Sequence, residues 1–244
     1  MRAAQAADVR EVGVALPPHR SAAAFQDSGE ALTHAATSHG HTFRIVEGKT
    51  HPAYSLNCFD EEREFREKYW TIQRGDEVID AGASYGAYTL PALALGAERV
   101  HAFEPEPTVR VDLARNVEVN DWQFRCAVRS VGLWDKAETV NMMSYAPHWP
   151  AGTITAPFEM TTLDEYVPKY FKRLDWIKMD IEGAEERAIR GGLVALKKFK
   201  PRLIIEAHTF LDPGVVGKIR AMLPWYSFEE VERKPCVMMV GRAE

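Results

Sequence analysis

The residues best suited to binding a small molecule lie in a glycine turn that follows a short apolar strand. Residues Val78–Gly86 read VIDAGASYG, and a second apolar stretch, Val100–Phe103, runs directly into Glu104. Gly82 removes the side chain where a buried strand turns sharply into a helix, and Gly86 leaves backbone amides accessible at the helix start. An acid about 20 residues after such a turn is placed to accept hydrogen bonds from ribose hydroxyls. This spacing indicates a nucleoside cofactor.

Two cofactor classes share this geometry, and two residues of the turn distinguish them. A dinucleotide site requires a central glycine so that the backbone can approach the pyrophosphate, but Ser84 occupies that position and Asp80 adds a negative charge nearby. S-adenosylmethionine (SAM) has no phosphate, and its sulfonium and α-amino groups are cationic, so an acid beside the turn favours SAM electrostatically. A nicotinamide site is disfavoured, while a turn without any ligand stays open at this point.

A second polar set follows two later strands. Asp180 ends the predicted strand Trp176–Met179, and Glu206 and His208 follow the predicted strand Leu203–Ile205. Ligands of open α/β sheets bind beyond the carboxyl ends of the strands, and residues two apart on extended backbone point to the same side. His208 is therefore the candidate general base, and Glu206 is expected to fix its tautomer. The alternative is that Asp180, Glu206 and His208 bind a divalent cation.

Two charged residues near Asp180 are expected to have structural roles. Lys178 lies inside an apolar strand, so we expect it to pair with Glu206 or Asp180 or to reach the sheet edge. Glu182 is expected to supply negative charge to the start of the following helix.

The elements that position these residues alternate between strand and helix from Gly75 onward, which predicts a doubly wound α/β sheet. Helices are predicted at about Gly86–Leu95 and Thr108–Val119, and the third strand at Phe124–Val128. The chain is predicted to close with an antiparallel hairpin, whose strands are Tyr226–Val231 and Cys236–Val240.

The segment before residue 70 is patterned differently. We expect residues 1–69 to form an N-terminal arm, partly mobile at its start, followed by a cap, and residues 70–244 to form the cofactor-binding domain. No regular element is predicted through about residue 40, whereas Phe43–Val46 predicts a strand and Asp60–Tyr69 a helix. A proline-rich aromatic insertion, Tyr145–Gly152, is expected to shape a substrate mouth.

Composition restricts the class of protein. The chain has 244 residues and a net charge of −5, which gives no general attraction to nucleic acid. Its three cysteines lack CxxC spacing, so neither a disulfide framework nor a thiolate metal site is indicated. The N-terminal residues contain no continuous apolar stretch, so we expect a cytoplasmic protein without membrane contact. A homo-oligomer is compatible with the sequence.

Four sequence motifs in order resemble the FkbM family of SAM-dependent methyltransferases. They are VIDAGASYGAYTL with FEPEP, TTLDEYV, IKMDIEGAE and PRLIIEAH, within about residues 70–210. The resemblance implies a Rossmann-like class I methyltransferase fold, with a mostly parallel seven-stranded sheet, a C-terminal antiparallel hairpin and helices on both faces. It also implies transfer of a methyl group to oxygen, on an acceptor such as a sugar, a polyketide or a peptide natural product.

The same resemblance implies cofactor contacts residue by residue. The methionine and ribose portion is assigned to Asp80, Gly82, Ala83, Ser84 and Gly86, with Tyr85 and Thr89 nearby. Glu104 is expected to hold the ribose and Pro105 to flank the adenosine. Cys126 and Ala127, taken to lie at the carboxyl end of the third strand, are expected to border the adenine through their backbone.

Three hypotheses of different classes follow. The first is an O-methyltransferase for a small-molecule acceptor, acting through a general base or a divalent metal. The second is a nicotinamide-dependent oxidoreductase, and the third is a noncatalytic SAM-binding module. Selective binding of SAM over NAD separates the second from the other two, and methyl incorporation separates the first from the third.

Overall fold

The computed structural model describes residues 33–46, 52–61, 63–143 and 155–244. The start of the predicted N-terminal arm and the predicted insertion Tyr145–Gly152 lie outside the described residues.

Twelve strands and eight helices occupy the described residues. The strands are β1 (Thr33–Ser38), β2 (His41–Val46), β3 (Glu77–Ala81), β4 (Arg99–Phe103), β5 (Cys126–Arg129), β6 (Gly132–Leu133), β7 (Thr139–Met143), β8 (Thr155–Thr161), β9 (Trp176–Met179), β10 (Arg202–Ala207), β11 (Tyr226–Arg233) and β12 (Cys236–Ala243). The helices are α1 (Pro52–Glu61), α2 (Arg63–Tyr69), α3 (Thr89–Ala94), α4 (Pro107–Glu118), α5 (Leu163–Tyr170), α6 (Glu185–Arg190), α7 (Leu193–Phe199) and α8 (Val215–Met222).

Seven strands form the central sheet in the order β11-β12-β10-β9-β3-β4-β5. The pairs among β10, β9, β3, β4 and β5 are parallel, whereas β12 is antiparallel to both β10 and β11. The C-terminal hairpin thus inserts its second strand beside β10. This topology confirms the predicted mostly parallel seven-stranded sheet with a terminal antiparallel hairpin.

Two apolar cores lie on opposite faces of this sheet. The first core includes Ile79, Ile177 and Ile205 from the sheet and Ala188 and Ile189 from α6. The second core includes Val78, Trp176 and Ile204 from the sheet, together with side chains of the glycine turn, α3, α4 and β2. Successive strand residues enter different cores because side chains alternate across a strand. Burial on both faces explains why these strands are continuously apolar.

The predicted strand Phe43–Val46 is part of β2, and its partner β1 forms a β-hairpin with it in the region where no regular element was predicted. Strands β1 and β2 pair from Thr33–Val46 to Ser38–His41, and the two turn residues, His39 and Gly40, have φ angles of 51° and 76°. Two positive φ angles in a two-residue loop match a type I′ turn, the connection whose twist suits paired strands. The prediction was wrong because β1 is built from small and polar residues, which carry no strong strand pattern.

The other predicted elements agree with the structure to within a few residues, with one exception, since the predicted helix Asp60–Tyr69 is two helices, α1 and α2. The third strand of the sheet starts at Cys126 rather than Phe124. Strand β8 pairs with β6 on one side and β7 on the other in a small separate sheet. Among the described residues, no helix combines the length and the apolar character needed to cross a membrane.

Candidate functional site

The glycine turn lies at the carboxyl edge of the sheet, where β3 meets β4 and β9. The backbone N–H groups of Gly82 and Ala83 both donate to the Phe103 carbonyl at 3.0 Å. Gly82 has a φ of 70°, and a Cβ atom on it would lie 1.7 Å from the Asp180 carbonyl oxygen. Only glycine fits here, because the turn passes against the end of β9 and uses a left-handed conformation.

Glu104 is buried beneath this turn and organises it. Its Oε2 accepts a hydrogen bond from the Ser84 N–H at 2.9 Å, and its Oε1 accepts one from the Glu106 N–H at 2.9 Å. The first bond holds Ser84 at a φ of 48°, which is uncommon for a residue with a side chain. Burial raises the pKa of the Glu104 carboxyl to about 7, against the opposing effect of these two N–H groups.

The turn and Glu104 fit the ribose and methionine portions of SAM. Each carboxylate oxygen offers about two lone pairs, so one remains at each Glu104 oxygen for a ribose hydroxyl. Carboxylates also outnumber cations at the adjoining sheet edge, where Asp80 and Asp180 lie beside Lys178. A cationic sulfonium and ammonium are favoured in such a site.

We expect the affinity for S-adenosylhomocysteine (SAH) to fall as pH drops below about 7. The ribose hydroxyls are bound best by an ionised Glu104, and burial holds the pKa of this group in the free protein at about 7. Affinity should decrease by up to about tenfold per pH unit below that pKa. Calorimetric titration between pH 5.5 and 8 measures this, with Glu104→Gln as a control that binds weakly and without pH dependence. Constant wild-type affinity over this range would contradict the assignment.

Lys178 connects the cofactor turn to the neighbouring strand end. Its Nζ donates to the Gly82 carbonyl at 2.8 Å and lies 3.4 Å from Asp80 Oδ1 and 3.7 Å from Asp180 Oδ2. The predicted partner Asp180 is therefore present, whereas the strongest contacts involve Asp80 and the turn itself. Asp80 is fully buried, and its Oδ2 accepts a 2.6 Å hydrogen bond from the Thr89 hydroxyl. Asp80 and Thr89 thus fasten β3 to the start of α3.

Three of the other predicted cofactor residues occupy different environments from those expected. The Tyr85 side chain points into the second core with 1% exposure, so only its backbone faces the turn. Cys126 and Ala127 lie at the start of β5, where Cys126 pairs with Val100. Their placement at the carboxyl end of that strand was wrong, and Arg129 occupies this end beside Phe103. Burial raises the pKa of the Cys126 thiol.

The ends of β9 and β10 bring a polar cluster together around His208. The imidazole is 4% exposed. Its Nδ1 is 2.8 Å from Glu185 Oε1, and its Nε2 lies 3.4 Å from Glu182 Oε2 and 3.7 Å from Asp180 Oδ1. The convergence of Asp180 and His208 follows from the parallel pairing of β9 with β10.

Glu185 performs two roles that the sequence assigned to other residues. Its Oε1 accepts from the backbone N–H groups of Ile181 and Gly183 at 3.2 and 3.1 Å. Glu185 therefore accepts hydrogen bonds from backbone amides that precede α6. The side chain of Glu182, by contrast, is 63% exposed and faces His208. Glu185 also replaces Glu206 as the carboxylate that orients the imidazole. The sequence signal is an acid at the first position of the helix that follows β9.

The protonation of His208 follows from these neighbours. Burial lowers the pKa of the imidazole, but the hydrogen bond and charge of Glu185, with the charges of Asp180 and Glu182, outweigh burial and raise the pKa to about 9. The ring is therefore mostly an imidazolium at neutral pH in the free protein.

Glu206 lies on β10 beside the C-terminal hairpin, where it pairs with Met238 of β12. Glu206, His208 and Cys236 each have a potential ligand atom within 4.8 Å of the others, as do Asp180, Glu182 and His208. The predicted combination of Asp180, Glu206 and His208 is not one of these groups among the described residues. The three proposed metal ligands thus fall into two groups that share His208.

The strand order and the glycine turn define a class I, SAM-binding methyltransferase fold. The chain belongs to the Methyltransferase FkbM domain family, whose model matches residues 80–233. This membership confirms the resemblance seen in the motifs and supports a methyltransferase over an oxidoreductase.

Two solved structures show the same fold. The methyltransferase FkbM from Methylobacillus flagellatus is 22% identical, with a TM-score of 0.50 over 77% of this chain and 54% of that chain. A candidate SAM-dependent methyltransferase from Streptococcus mutans is 10% identical, with a TM-score of 0.54 over 89% of this chain and 57% of that chain.

Two curated proteins are similar over shorter segments. A tRNA wybutosine-synthesizing protein 2 homolog from Danio rerio is 39% identical over 74 residues, which are 28% of this chain and 18% of that protein. Ribosomal protein L11 methyltransferase from Anoxybacillus flavithermus is 38% identical over 68 residues, 28% of this chain and 22% of that protein. The match therefore spans about a fifth of the length of either curated relative.

Proposed function

We propose that the protein transfers a methyl group from SAM to a hydroxyl oxygen of a small-molecule acceptor, such as a sugar, polyketide or peptide natural product. The observation that carries this proposal is the orientation of His208. Its Nδ1 is held by Glu185 at 2.8 Å, and Nε2 is directed toward Asp180 at the sheet edge that also carries the glycine turn. An imidazole fixed on one side presents the other nitrogen to a substrate proton.

The roles of the residues follow from this geometry. SAM, when bound, supplies an electrophilic methyl group on a cationic sulfur. Glu104 and the glycine turn hold the donor, and Asp180 and Glu182 orient the acceptor hydroxyl beside the imidazole. The neutral His208 accepts the hydroxyl proton at Nε2 as the oxygen attacks, and Glu185 stabilises the resulting imidazolium.

The chemistry of the acceptor is inferred from charge. Asp180, Glu182 and Glu185 place negative charge at the acceptor side, which disfavours a polyanionic acceptor such as RNA. The net charge of −5 acts in the same direction. The curated relatives carry names that refer to tRNA and to a ribosomal protein, so RNA and protein acceptors belong in the test.

We expect the purified chain to bind SAM and SAH but not NAD, and to transfer label from methyl-labelled SAM to a hydroxylated small molecule. Calorimetry measures binding, and label transfer is measured across panels of sugars, polyketides, peptides, RNA and ribosomal proteins. Binding without transfer to any panel would favour the noncatalytic module. Transfer to RNA alone would overturn the small-molecule assignment.

The metal-assisted alternative is tested in the same assay. Activity that survives dialysis against a strong chelator is expected, because the proposed proton transfer needs only His208. Loss of activity that is restored by Mg²⁺ or Zn²⁺ would favour the metal alternative instead.

A further inference from the structure

A buried asparagine on α4 links the N-terminal hairpin to the cofactor turn. Asn116 is fully buried. Its Oδ1 accepts a hydrogen bond from the Val46 N–H at 2.6 Å, and its Nδ2 donates to the Tyr85 carbonyl at 2.8 Å. Val46 is the last residue of β2, and Tyr85 lies between Ser84 and Gly86. One side chain thus bonds to the backbone of two segments that are 39 positions apart in numbering.

A second asparagine, Asn120, lies just past the C-terminal end of α4 and bonds to the hairpin and to the Asn116 backbone carbonyl. Asn120 Oδ1 accepts from the Arg44 N–H at 2.8 Å, and its Nδ2 donates to the Arg44 carbonyl at 2.6 Å. The Asn120 Nδ2 also donates to the Asn116 carbonyl at 2.8 Å, which holds the two side chains beside each other, and residues two apart on a strand direct their backbone groups the same way. The two amide side chains therefore hydrogen-bond to the backbone at the edge of β2 as a neighbouring strand would. Only Asn116 extends this docking to the cofactor turn.

The bond to Tyr85 controls one peptide plane of the turn. The Tyr85 carbonyl and the Gly86 N–H belong to the same peptide group, and this N–H donates to the Ala83 carbonyl at 2.8 Å. The plane is therefore held at both ends, by Asn116 on one side and by Ala83 on the other. Tyr85, which carries this carbonyl, lies between two residues with positive φ, Ser84 at 48° and Gly86 at 99°. Such a conformation persists only when its surroundings determine it.

We propose that Asn116 is a positioning residue for the cofactor, which couples docking of the β1–β2 hairpin to the shape of the glycine turn. The proposal rests on the proposed function, because it requires SAM to occupy that turn. A buried carbonyl that loses its donor reorients or draws in water, and either change tilts the peptide between Tyr85 and Gly86. The coupling is reciprocal, so SAM binding stabilises the docked hairpin by the same factor.

The test compares Asn116→Asp with Asn120→Asp in the full chain at pH 8. Each substitution keeps the acceptor for a β2 amide and replaces an amide donor by a carboxylate oxygen, so the charge change is matched. Asn116→Asp removes the donor to the Tyr85 carbonyl, whereas Asn120→Asp removes donors to the Arg44 and Asn116 carbonyls and keeps the bond between Asn116 and Tyr85. We expect SAH affinity to fall about tenfold or more in Asn116→Asp and less than about twofold in Asn120→Asp.

Hydrogen exchange provides a readout that a general loss of stability does not reproduce. SAH should slow exchange of the Arg44 and Val46 amides in the wild type and in Asn120→Asp, but not in Asn116→Asp. Equal SAH affinity in Asn116→Asp and the wild type would overturn the proposal, as would equal weakening in both variants. If Asn116→Asp does not fold, Asn116→Ala and Asn120→Ala are judged by the same affinity criterion. Failure of the wild type to bind SAH would refute the proposed function instead.

Discussion

Replacement of His208 by Gln is expected to lower turnover by about 10²–10⁴-fold at saturating SAM and acceptor, the usual contribution of a general base. The side chain is 4% exposed and fixed by Glu185, so glutamine can fill the space but cannot take up a proton. Initial rates of methyl transfer measure the loss, and SAH affinity is the internal control. Unchanged turnover would remove His208 from the mechanism.

The same assignment predicts a pH profile. Only the neutral imidazole accepts a proton, and the pKa of His208 in the free protein is about 9. The value of kcat/KM for the acceptor should therefore rise about tenfold per pH unit below that pKa and level off above it. Glu185→Gln removes the charge that contributes most to the raised pKa, so its inflection should lie at lower pH. An inflection that does not move would show that another group titrates.

Replacement of Gly82 by Ala is expected to reduce the free energy of unfolding by roughly 2–5 kcal/mol, the sum of a strained left-handed residue and an overpacked contact. The new Cβ atom would lie 1.7 Å from the Asp180 carbonyl oxygen, so the ends of β3 and β9 must separate. That separation also displaces Asp180 from His208. We therefore expect loss of SAH binding and of activity together with the lower stability, as measured by urea unfolding and calorimetry.

Gly217→Ala is the matched control. Gly217 lies within α8, and apart from its chain neighbours and the nearby helix backbone no atom lies within 4 Å of the position that its Cβ would take. Alanine there should raise stability by up to about 1 kcal/mol, because it favours the helix. If both substitutions had the same small effect, the close approach at Gly82 would not matter for the fold.

Elements that depend on a local sequence pattern were predicted best. The strands β3 and β9 are short apolar runs, and the glycine turn between β3 and α3 is required by backbone geometry, so both were predicted. The third strand was placed two residues early because Phe124 was counted as a strand residue, although it is 79% exposed. Apolar character alone does not show whether a residue belongs to a strand or to the loop before it.

The polar contacts of the site were harder to predict because they depend on tertiary approach. Glu185 and Glu206 are both acids near His208, and only the packing of α6 against β10 decides which one bonds to Nδ1. The contacts of Asn116 also depend on tertiary packing, since its two partners come from distant segments. The pairing of Lys178 with Asp80 required adjacent positions in β3 and β9, a register that sequence patterns do not specify. The catalytic roles themselves stay predictions.

The two cores on opposite faces of the sheet separate the two halves of the proposed reaction. The donor turn is anchored through Tyr85 and Leu90 in the second core, whereas α6, which carries Glu185, is anchored through Ala188 and Ile189 in the first. Substitutions that change the proposed acceptor side beside α6 should therefore leave the packing of the donor layer intact, as expected for a fold that can carry different functions.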